Sequence, residues 1–265
     1  MAEPDLSQTL NGLRRFSGLD RLYGAQAAQQ IRRAHVVVVG LGGVGSWAAE
    51  ALARSGIGRL TLIDMDHVAE SNINRQIQAL ENTVGRAKIE AMAQRIALIN
   101  PDCQVRCIDD FVTPDNGTAL MPRSANAVID ACDQVLAKTA MAAWALQSSK
   151  LFIAVGAAGG KRMAHQVAVA DLSVSTNDPL LAKVRYNLRR NHGAARAPQK
   201  IKLWCVFSPE AVQGAQTAEQ AQSHNNLNCH GYGSSVAVTA SFGMAAAAWV
   251  MNQLCAPVNE EKTRL

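Results

Sequence analysis

The sequence of 265 residues contains six cysteines, but no two of them form a C-x-x-C pair. Structural zinc sites usually draw on such pairs, so we expect no structural zinc. The nearest two, Cys103 and Cys107, fall in a segment typical of a strand, where a zinc site would need ligands from elsewhere in the chain. Reduced thiols are the simplest interpretation, and we therefore expect a cytoplasmic protein.

Charged residues are also scarce, at 18% of the chain against 48% apolar residues. This balance is typical of a folded globular protein and excludes a largely disordered one. Residues 1–9 lack an apolar stretch, so we expect no signal peptide. The net charge of +5 favours an anionic partner without identifying it.

Residues 234–255 contain no charged side chain at all. The stretch is long enough for a membrane helix, which needs about 20 apolar residues. It consists mostly of Ala, Ser, Thr and Gly, however, with few Leu or Ile. We therefore predict a buried core helix, and membrane association through 234–255 is the alternative.

Predicted strands and helices alternate through the first 156 residues. The four valines of HVVVVG, residues 35–40, predict a strand buried on both faces, as in a parallel sheet. The other predicted strands are 59–64, 103–109, 125–131 and 151–156, and the predicted helices are 10–34, 44–55, 85–100, 115–121 and 135–149. This order implies an α/β fold with a Rossmann-like, doubly wound and mainly parallel sheet.

The pattern changes after Gly156. Residues 163–172 alternate between apolar and polar, which predicts an antiparallel strand paired with residues 203–208. Between them lies a basic insert, residues 183–202, without any acidic residue. The predicted organisation is one domain, residues 1–265, with a Rossmann-like core at 31–156 and a C-terminal elaboration at 157–255.

Three glycines, Gly40, Gly42 and Gly45, form G-x-G-x-x-G between a predicted strand and a predicted helix. They permit a tight turn, and the helix N-terminus presents N–H groups to a phosphate. Asp64, at the end of the second strand, stands where an acid usually binds ribose hydroxyls. Glycines that only pack the helix on the strand, or a dinucleotide dehydrogenase, would give the same pattern.

Arg75, Lys88 and Asp133 separate these alternatives. When a carboxylate attacks the α-phosphorus of ATP, negative charge accumulates on the phosphoryl oxygens, and cationic side chains stabilise it. A divalent ion on the phosphates needs a carboxylate ligand, for which Asp133 is the natural candidate. Hydride transfer needs none of these groups. We therefore predict an enzyme that adenylates a carboxylate with ATP and Mg²⁺, with Arg75, Lys88 and Asp133 as catalytic residues.

The strings GLGGVGS, LIDMD, SNINRQ, VGRAK, INP and VIDACD lie in this order between residues 36 and 133. They resemble the ubiquitin-activating-enzyme-like superfamily, which includes the ThiF- and MoeB-type adenylyltransferases. The resemblance implies that the core binds ATP. The implied nucleotide-binding residues are Gly40, Gly42, Gly43, Gly45, Asp64, Asp66, Asn72, Arg75, Lys88 and Asp130.

The superfamily also supplies an arginine from the partner subunit, which implies a homodimer. The N-terminal segment RRFSGLDRLYG offers Arg14, Arg15 and Arg21 for this role, and we favour Arg21. A sulfur-relay protein is a further candidate partner, because some relatives carry a thioester-forming or sulfur-accepting cysteine near the positions of Cys205 and Cys229. We favour inert cysteines over a catalytic one.

The strings ARSGIGRLTLIDMD, DDFVTPDN, NDPL and CVFS extend the resemblance over nearly the whole chain. They are similar to a bacterial branch that modifies tRNA. This implies ATP-dependent dehydration of the threonylcarbamoyl group on an adenosine beside the anticodon. Adenylation would activate the threonine carboxylate, and a nucleophile of the same modification would displace AMP and close a ring.

The partner would then be tRNA carrying threonylcarbamoyladenosine, and the basic insert could lie on its backbone rather than form a solvated face. One alternative is an adenylyltransferase that activates the C-terminal carboxylate of a ubiquitin-like or sulfur-carrier protein. The other is a nucleotide-binding module without activity, against which Arg75, Lys88 and Asp133 argue. A metal site from His224 and His230 is less favoured still.

Overall fold

A computed structural model describes residues 6–148, 150–213 and 232–256, with side chains from residue 14 onward. Its strands form one sheet in the order β3-β2-β1-β4-β5-β7-β6, in which only the β6–β7 pair is antiparallel. The strands are β1 His35–Val39, β2 Arg59–Ile63, β3 Gln104–Ile108, β4 Ala127–Asp130, β5 Leu151–Val155, β6 Ala168–Asp171 and β7 Trp204–Phe207. The predicted fold class is confirmed.

Helices cover both faces of this sheet, as the valine run of β1 predicts. Val36 and Val38 pack with α3, α4 and α8, whereas Val37 and Val39 pack with α6 and α7. Alternate residues of a strand point to opposite faces, so β1 is buried on both sides. The helices are α1 Leu6–Tyr23, α2 Ala25–Arg33, α3 Gly45–Arg54, α4 Lys88–Ile99, α5 Gly117–Leu120, α6 Val135–Gln147, α7 Pro179–Asn191 and α8 Val236–Cys255.

Two predicted elements are corrected by the structure. The predicted helix 10–34 is two helices, because Gly24 has a φ of +84°, outside the right-handed helical region. The predicted strand 163–172 is shorter, since residues 164–166 form a 3-10 turn and only Ala168–Asp171 pair with β7.

The first part of the basic insert belongs to a helix, α7, that the sequence analysis did not assign. Asp178 caps its N-terminus by accepting a hydrogen bond from the Leu181 amide at 2.9 Å, and Pro179 occupies the first turn. One apolar stripe of the helix, consisting of Leu180, Leu181, Val184 and Leu188, is buried.

The charge-free stretch forms the buried helix α8, as predicted. Its Gly243 lies so close to α3 that a Cβ there would overlap the carbonyl oxygen of Val44 and lie 2.8 Å from the amide nitrogen of Ala48. Phe242 and Val250 are buried in the same interface. Within the three described ranges, no helix is long and apolar enough to span a membrane.

Candidate nucleotide site

The glycine turn lies at the carboxyl edge of β1, and each glycine meets a different environment. Gly40 has a φ of +82°, and a Cβ there would lie 3.0 Å from the carbonyl oxygen of Ala131. A Cβ at Gly45, the first residue of α3, would overlap the carbonyl oxygen of Gly40. A Cβ at Gly42 would meet nothing within 4 Å. Packing therefore requires glycine at two positions, and the turn is open at Gly42.

Asp64 connects the glycine turn to the end of β2. Its carboxylate accepts hydrogen bonds from the amide of Leu41 at 2.5 Å and from the amide of Asp66 at 2.8 Å. Burial raises the pKa of Asp64, although the positive charge of Lys88 and these two amides oppose the shift. The carboxylate is thus fixed against the turn, where sequence analysis placed a ribose ligand.

The crossover from β2 to α4 brings two cations to the same turn. The Nζ of Lys88 lies 2.6 Å from a carboxylate oxygen of Asp66, and the Lys88 side chain is 8% exposed. The Cγ of Arg75 lies 3.3 Å from the position of a Cβ on Gly43. The Nη1 of Arg75 donates to the carbonyl oxygen of Ser71 at 2.6 Å.

Neighbouring side chains hold the backbone of this crossover in place. Asn72 is buried, and its Oδ1 accepts a hydrogen bond from the amide of Ala69 at 3.1 Å. The Nε1 of Trp47 on α3 donates to the carbonyl oxygen of Arg75 at 3.0 Å. Thr239 on α8 packs against Gly43, and sequence analysis missed this contact because α8 is distant along the chain.

The aspartate that ends β4 and the one that follows the strand have different surroundings. Asp130 is fully buried and pairs with Lys138 of α6 at 2.8 Å, and its second carboxylate oxygen is buried without a hydrogen-bond partner. Burial alone would lower the pKa of Lys138, but the negative charge of Asp130, the hydrogen bond to it and smaller contributions from Cys132 and Asp178 together raise the pKa. Asp133 is exposed before α6, and Gln134 donates to it at 3.4 Å.

Sequence analysis missed Lys138 as the partner of Asp130. A lone lysine in the apolar helix VLAKTAMAAWAL was the available signal, because an isolated charge on a buried helix requires a partner.

Other predicted residues do not lie at this turn. Arg21 is exposed on α1, and the nearby Arg15 and Phe16 contact Ile99 and Gly56 at the amino edge of the sheet, opposite the glycine turn. Cys205 is fully buried on β7, and burial raises its pKa to about 12, which favours the protonated thiol.

Cys229, His224 and His230 lie outside the described residues. Among the residues that the structure does describe, no group of three His, Cys, Asp or Glu side chains is placed to hold a metal ion.

A second set of buried charges at the carboxyl edge also escaped prediction. The Nζ of Lys161 donates to the carbonyl oxygens of Asn177 at 2.8 Å, of Ser208 at 3.3 Å and of Glu210. Glu210 accepts from the amide of Met163 at 2.9 Å, and Asp178 accepts from the amide of Ala157 at 2.9 Å. These bonds lock the loops after β5 and β7 together.

Comparison with known proteins identifies the family of the chain. The ThiF family matches residues 16–264. The tRNA threonylcarbamoyladenosine dehydratases of Haemophilus influenzae and Escherichia coli K12 are 43% and 44% identical, over 91% of this chain and 93% and 94% of their own. The solved structure of the E. coli protein in complex with ATP has a TM-score of 0.83, covering 91% of this chain and 94% of that one. The chain therefore belongs to the ThiF family.

Proposed function

We propose that this chain is an ATP-dependent dehydratase that cyclises N6-threonylcarbamoyladenosine in the tRNA anticodon loop through an adenylated carboxylate. The observation that carries the proposal lies around a glycine turn that is open at Gly42: the Arg75 side chain packs against Gly43, and Lys88 pairs with Asp66, whose amide donates to Asp64. Relatives that share 43% and 44% of its residues over nearly their full length are named for this dehydration.

The geometry of the turn fits ATP. The free space at Gly42 admits a phosphate next to the N-terminus of α3, whose N–H groups and dipole favour an anion. The backbone of Gly40, Gly43 and Gly45 shapes this phosphate site. Asp64 is fixed where its carboxylate can accept hydrogen bonds from ribose hydroxyls. We assign Asp66 and Asn72 to the rim of the same site, and Asp130 to its buried floor.

Arg75 and Lys88 are assigned to the phosphate oxygens. Lys88 now pairs with Asp66, and Arg75 donates to the Ser71 carbonyl and to the Asn74 side chain, so both cations must exchange these partners for a phosphate. In that position they stabilise the negative charge that develops when the threonine carboxylate displaces pyrophosphate.

Asp133 is assigned as the ligand of Mg²⁺. Its carboxylate is exposed and has only a long hydrogen bond, from Gln134 at 3.4 Å, so its oxygens are accessible to a hydrated divalent ion. A magnesium ion bound there would neutralise phosphate charge.

The assembly we propose is a cytoplasmic homodimer in which Arg21 reaches the site of the partner subunit. The exposure of Arg21 and the position of α1 at the amino edge support a role outside its own glycine turn. A sulfur-relay protein as an additional partner rests on the family resemblance alone.

A pyrophosphate-release assay tests the reaction. We expect release that depends on ATP and Mg²⁺ and is stimulated by tRNA carrying threonylcarbamoyladenosine, but not by the same tRNA without the modification. Mass analysis of the nucleosides should show loss of one water from the modified adenosine. Stimulation by a ubiquitin-like carrier protein instead would favour the alternative adenylyltransferase, and no stimulation by either would contradict both.

A further inference from the structure

The second half of α7 and the loop after it form an open groove on the face of the sheet that α6 and α7 cover. Its volume is about 570 Å³, and it is open to solvent. We call it the α7 groove, and it is lined by Ala182, Arg185, Tyr186, Arg189, Arg190 and Arg196.

The four arginines of the α7 groove are not ion-paired within the part of the chain that the structure describes. Arg185 instead donates to the carbonyl oxygen of Ser175 at 2.9 Å, and Arg189 donates to that of Ala195 at 3.1 Å. Main-chain groups thus orient guanidinium groups whose charges repel one another, and an anion in the groove would relieve that repulsion.

The acids nearest in sequence are committed elsewhere. The carboxylate of Asp171 accepts from the amides of Ile201 at 3.1 Å and of Lys202 at 2.7 Å, and that of Asp178 caps α7. From residue 179 to residue 209 the sequence has no Asp or Glu. The lining of the groove therefore contains four arginines and no acidic residue.

Tyr186 gives the α7 groove an aromatic surface as well as charge. The residue is 58% exposed, and the Cζ of Arg190 lies 5.8 Å from the centroid of its ring. The Nη1 of Arg190 also donates to the Tyr186 hydroxyl at 2.8 Å, which fixes the two planes relative to each other. An exposed aromatic ring beside arginines is a platform on which a nucleobase stacks, whereas a site for phosphate alone has no use for it.

The position of the α7 groove relates it to the reaction site. The N-terminus of α7 lies at the carboxyl edge of the sheet, where Asp178 binds the amide of Ala157 directly after β5. Tyr186 and Arg190 are eight and twelve residues further along, which corresponds to about 12–18 Å along the helix axis. A nucleic acid whose reacting base lies at the carboxyl edge would need to continue down this flank to meet the groove.

We propose that the α7 groove binds the ribose-phosphate backbone and one unpaired base of the substrate tRNA, away from the reacting nucleotide. This inference rests on the proposed function for the identity of the RNA. It goes further by naming Arg190, Arg196 and Tyr186 as the residues that hold it.

The test compares two pairs of substitutions that remove equal charge. Arg190→Gln/Arg196→Gln removes two charges of the groove, and Arg33→Gln/Arg54→Gln removes two from α2 and α3 on the opposite face of the sheet. Binding of unmodified tRNA is measured between 50 and 300 mM salt, and thermal unfolding confirms that each variant is folded. Each phosphate contact contributes about 0.9 to the salt slope, so we expect the groove variant to lose about 2 and to bind at least about tenfold more weakly at low salt.

A second pair of variants tests the stacking platform. Tyr186→Leu should weaken tRNA binding about threefold or more with an unchanged salt slope, and Tyr186→Phe should restore it, since stacking needs the ring but not the hydroxyl. Affinity for ATP should be unchanged in all variants, because the groove is remote from the glycine turn.

The outcomes separate this inference from the proposed function. The inference would be overturned if the groove variant and the opposite-face variant lost the same affinity for tRNA. It would also be overturned if the groove variant bound tRNA as tightly as the wild-type protein, and that result would point to an acidic protein as the occupant. If wild-type protein fails to release pyrophosphate with modified tRNA but the groove pair still loses RNA affinity, the reaction is wrong and the groove assignment stands.

Discussion

Two stretches of the same sheet edge use charged residues in opposite ways. Near the glycine turn, the side chains of Arg75 and Asp133 reach the surface. Arg75 donates to the carbonyl of Ser71, four residues earlier, and Asp133 has only a long hydrogen bond from Gln134, so a ligand can replace either partner. After β5 and β7, Lys161, Glu210 and Asp178 are buried and bind main-chain amides and carbonyls. A charge that satisfies the main chain stabilises the fold, whereas one that remains accessible is available for chemistry.

The Asp130–Lys138 pair lies near the glycine turn, but it is buried like the charged residues after β5 and β7. Both side chains are fully buried, and Lys138 also donates to the carbonyl oxygen of Asp130 at 2.9 Å. Asp130 in turn accepts a hydrogen bond from the amide of Cys132 at 3.2 Å, and so shapes the loop that leads to Asp133. We therefore expect the pair to stabilise the fold directly and to affect the site only by holding the loop that leads to Asp133.

The largest effect on stability should come from Lys138→Met. The substitution leaves the Asp130 carboxylate buried and unpaired, and breaking such a pair costs about 3–5 kcal/mol of unfolding free energy. Urea unfolding of the variant and the wild type measures the difference.

The matched control for this prediction is Lys138→Met/Asp130→Leu, which removes both charges. Replacing a whole buried pair by apolar residues is often nearly neutral, so the double variant should recover at least half of the loss. If the unfolding free energy of Lys138→Met lay within about 1 kcal/mol of the wild-type value, Asp130 would not be a buried charge that depends on Lys138.

The next largest effect should be on turnover, from Asp133→Ala. We expect pyrophosphate release to fall at least about 100-fold, equivalent to about 2.7 kcal/mol of transition-state stabilisation. The unfolding free energy should change by less than about 0.5 kcal/mol, because the side chain is exposed and holds no main-chain group.

Asp102→Ala is the matched control, since Asp102 is an exposed aspartate that follows α4. It should leave both turnover and stability unchanged. Normal turnover in Asp133→Ala would remove Asp133 as the metal ligand.

Local features of the fold were predictable from the sequence, whereas contacts with distant main-chain groups were not. The valines of β1, Gly40 and Gly45 were predictable because strand burial and turn geometry depend on neighbouring residues. Asp178-Pro179 and the spacing of the leucines indicate the helix α7, but it was not predicted because its basic residues were interpreted as a charged insert. The role of Lys161 was not predictable, since its partners are main-chain carbonyls, which every residue has, 16 to 49 positions away.

A smaller effect, with a defined pH dependence, should follow from Asp171→Asn. The Asp171 carboxylate accepts hydrogen bonds from the amides of Ser173, Ile201 and Lys202, so an uncharged amide there leaves at least one buried donor poorly bound, at a cost of about 2 kcal/mol. Burial alone would raise the pKa of Asp171, but these donors outweigh it and lower the pKa.

The sign of this shift determines where the effect appears. A pKa lowered in the folded state stabilises the protein fully above the unfolded value of about 3.9, and this contribution is lost as the pH falls through the folded value. The difference in unfolding free energy between the wild type and Asp171→Asn should therefore be full at pH 7 and shrink below about pH 4. A difference that grows on acidification would contradict the assignment.

The smallest effect, and the most direct test of the glycine turn, comes from Gly42→Ala. A methyl group at this position meets no protein atom within 4 Å, and Gly42 does not have a positive φ, so the unfolding free energy should change by less than about 0.5 kcal/mol. If the open side of the turn binds phosphate, the methyl group must project toward it, and the Kd for ATP measured by calorimetry should rise about tenfold, or about 1.4 kcal/mol.

Gly45→Ala provides the contrast, because its methyl group would overlap the Gly40 carbonyl oxygen and must destabilise the fold whether or not a nucleotide binds. Loss of ATP affinity in Gly45→Ala alone would be the behaviour of a turn that only packs α3 on β1. Loss of affinity without loss of stability in Gly42→Ala cannot arise from packing. The pair of variants thus separates the two interpretations that the glycine pattern left open.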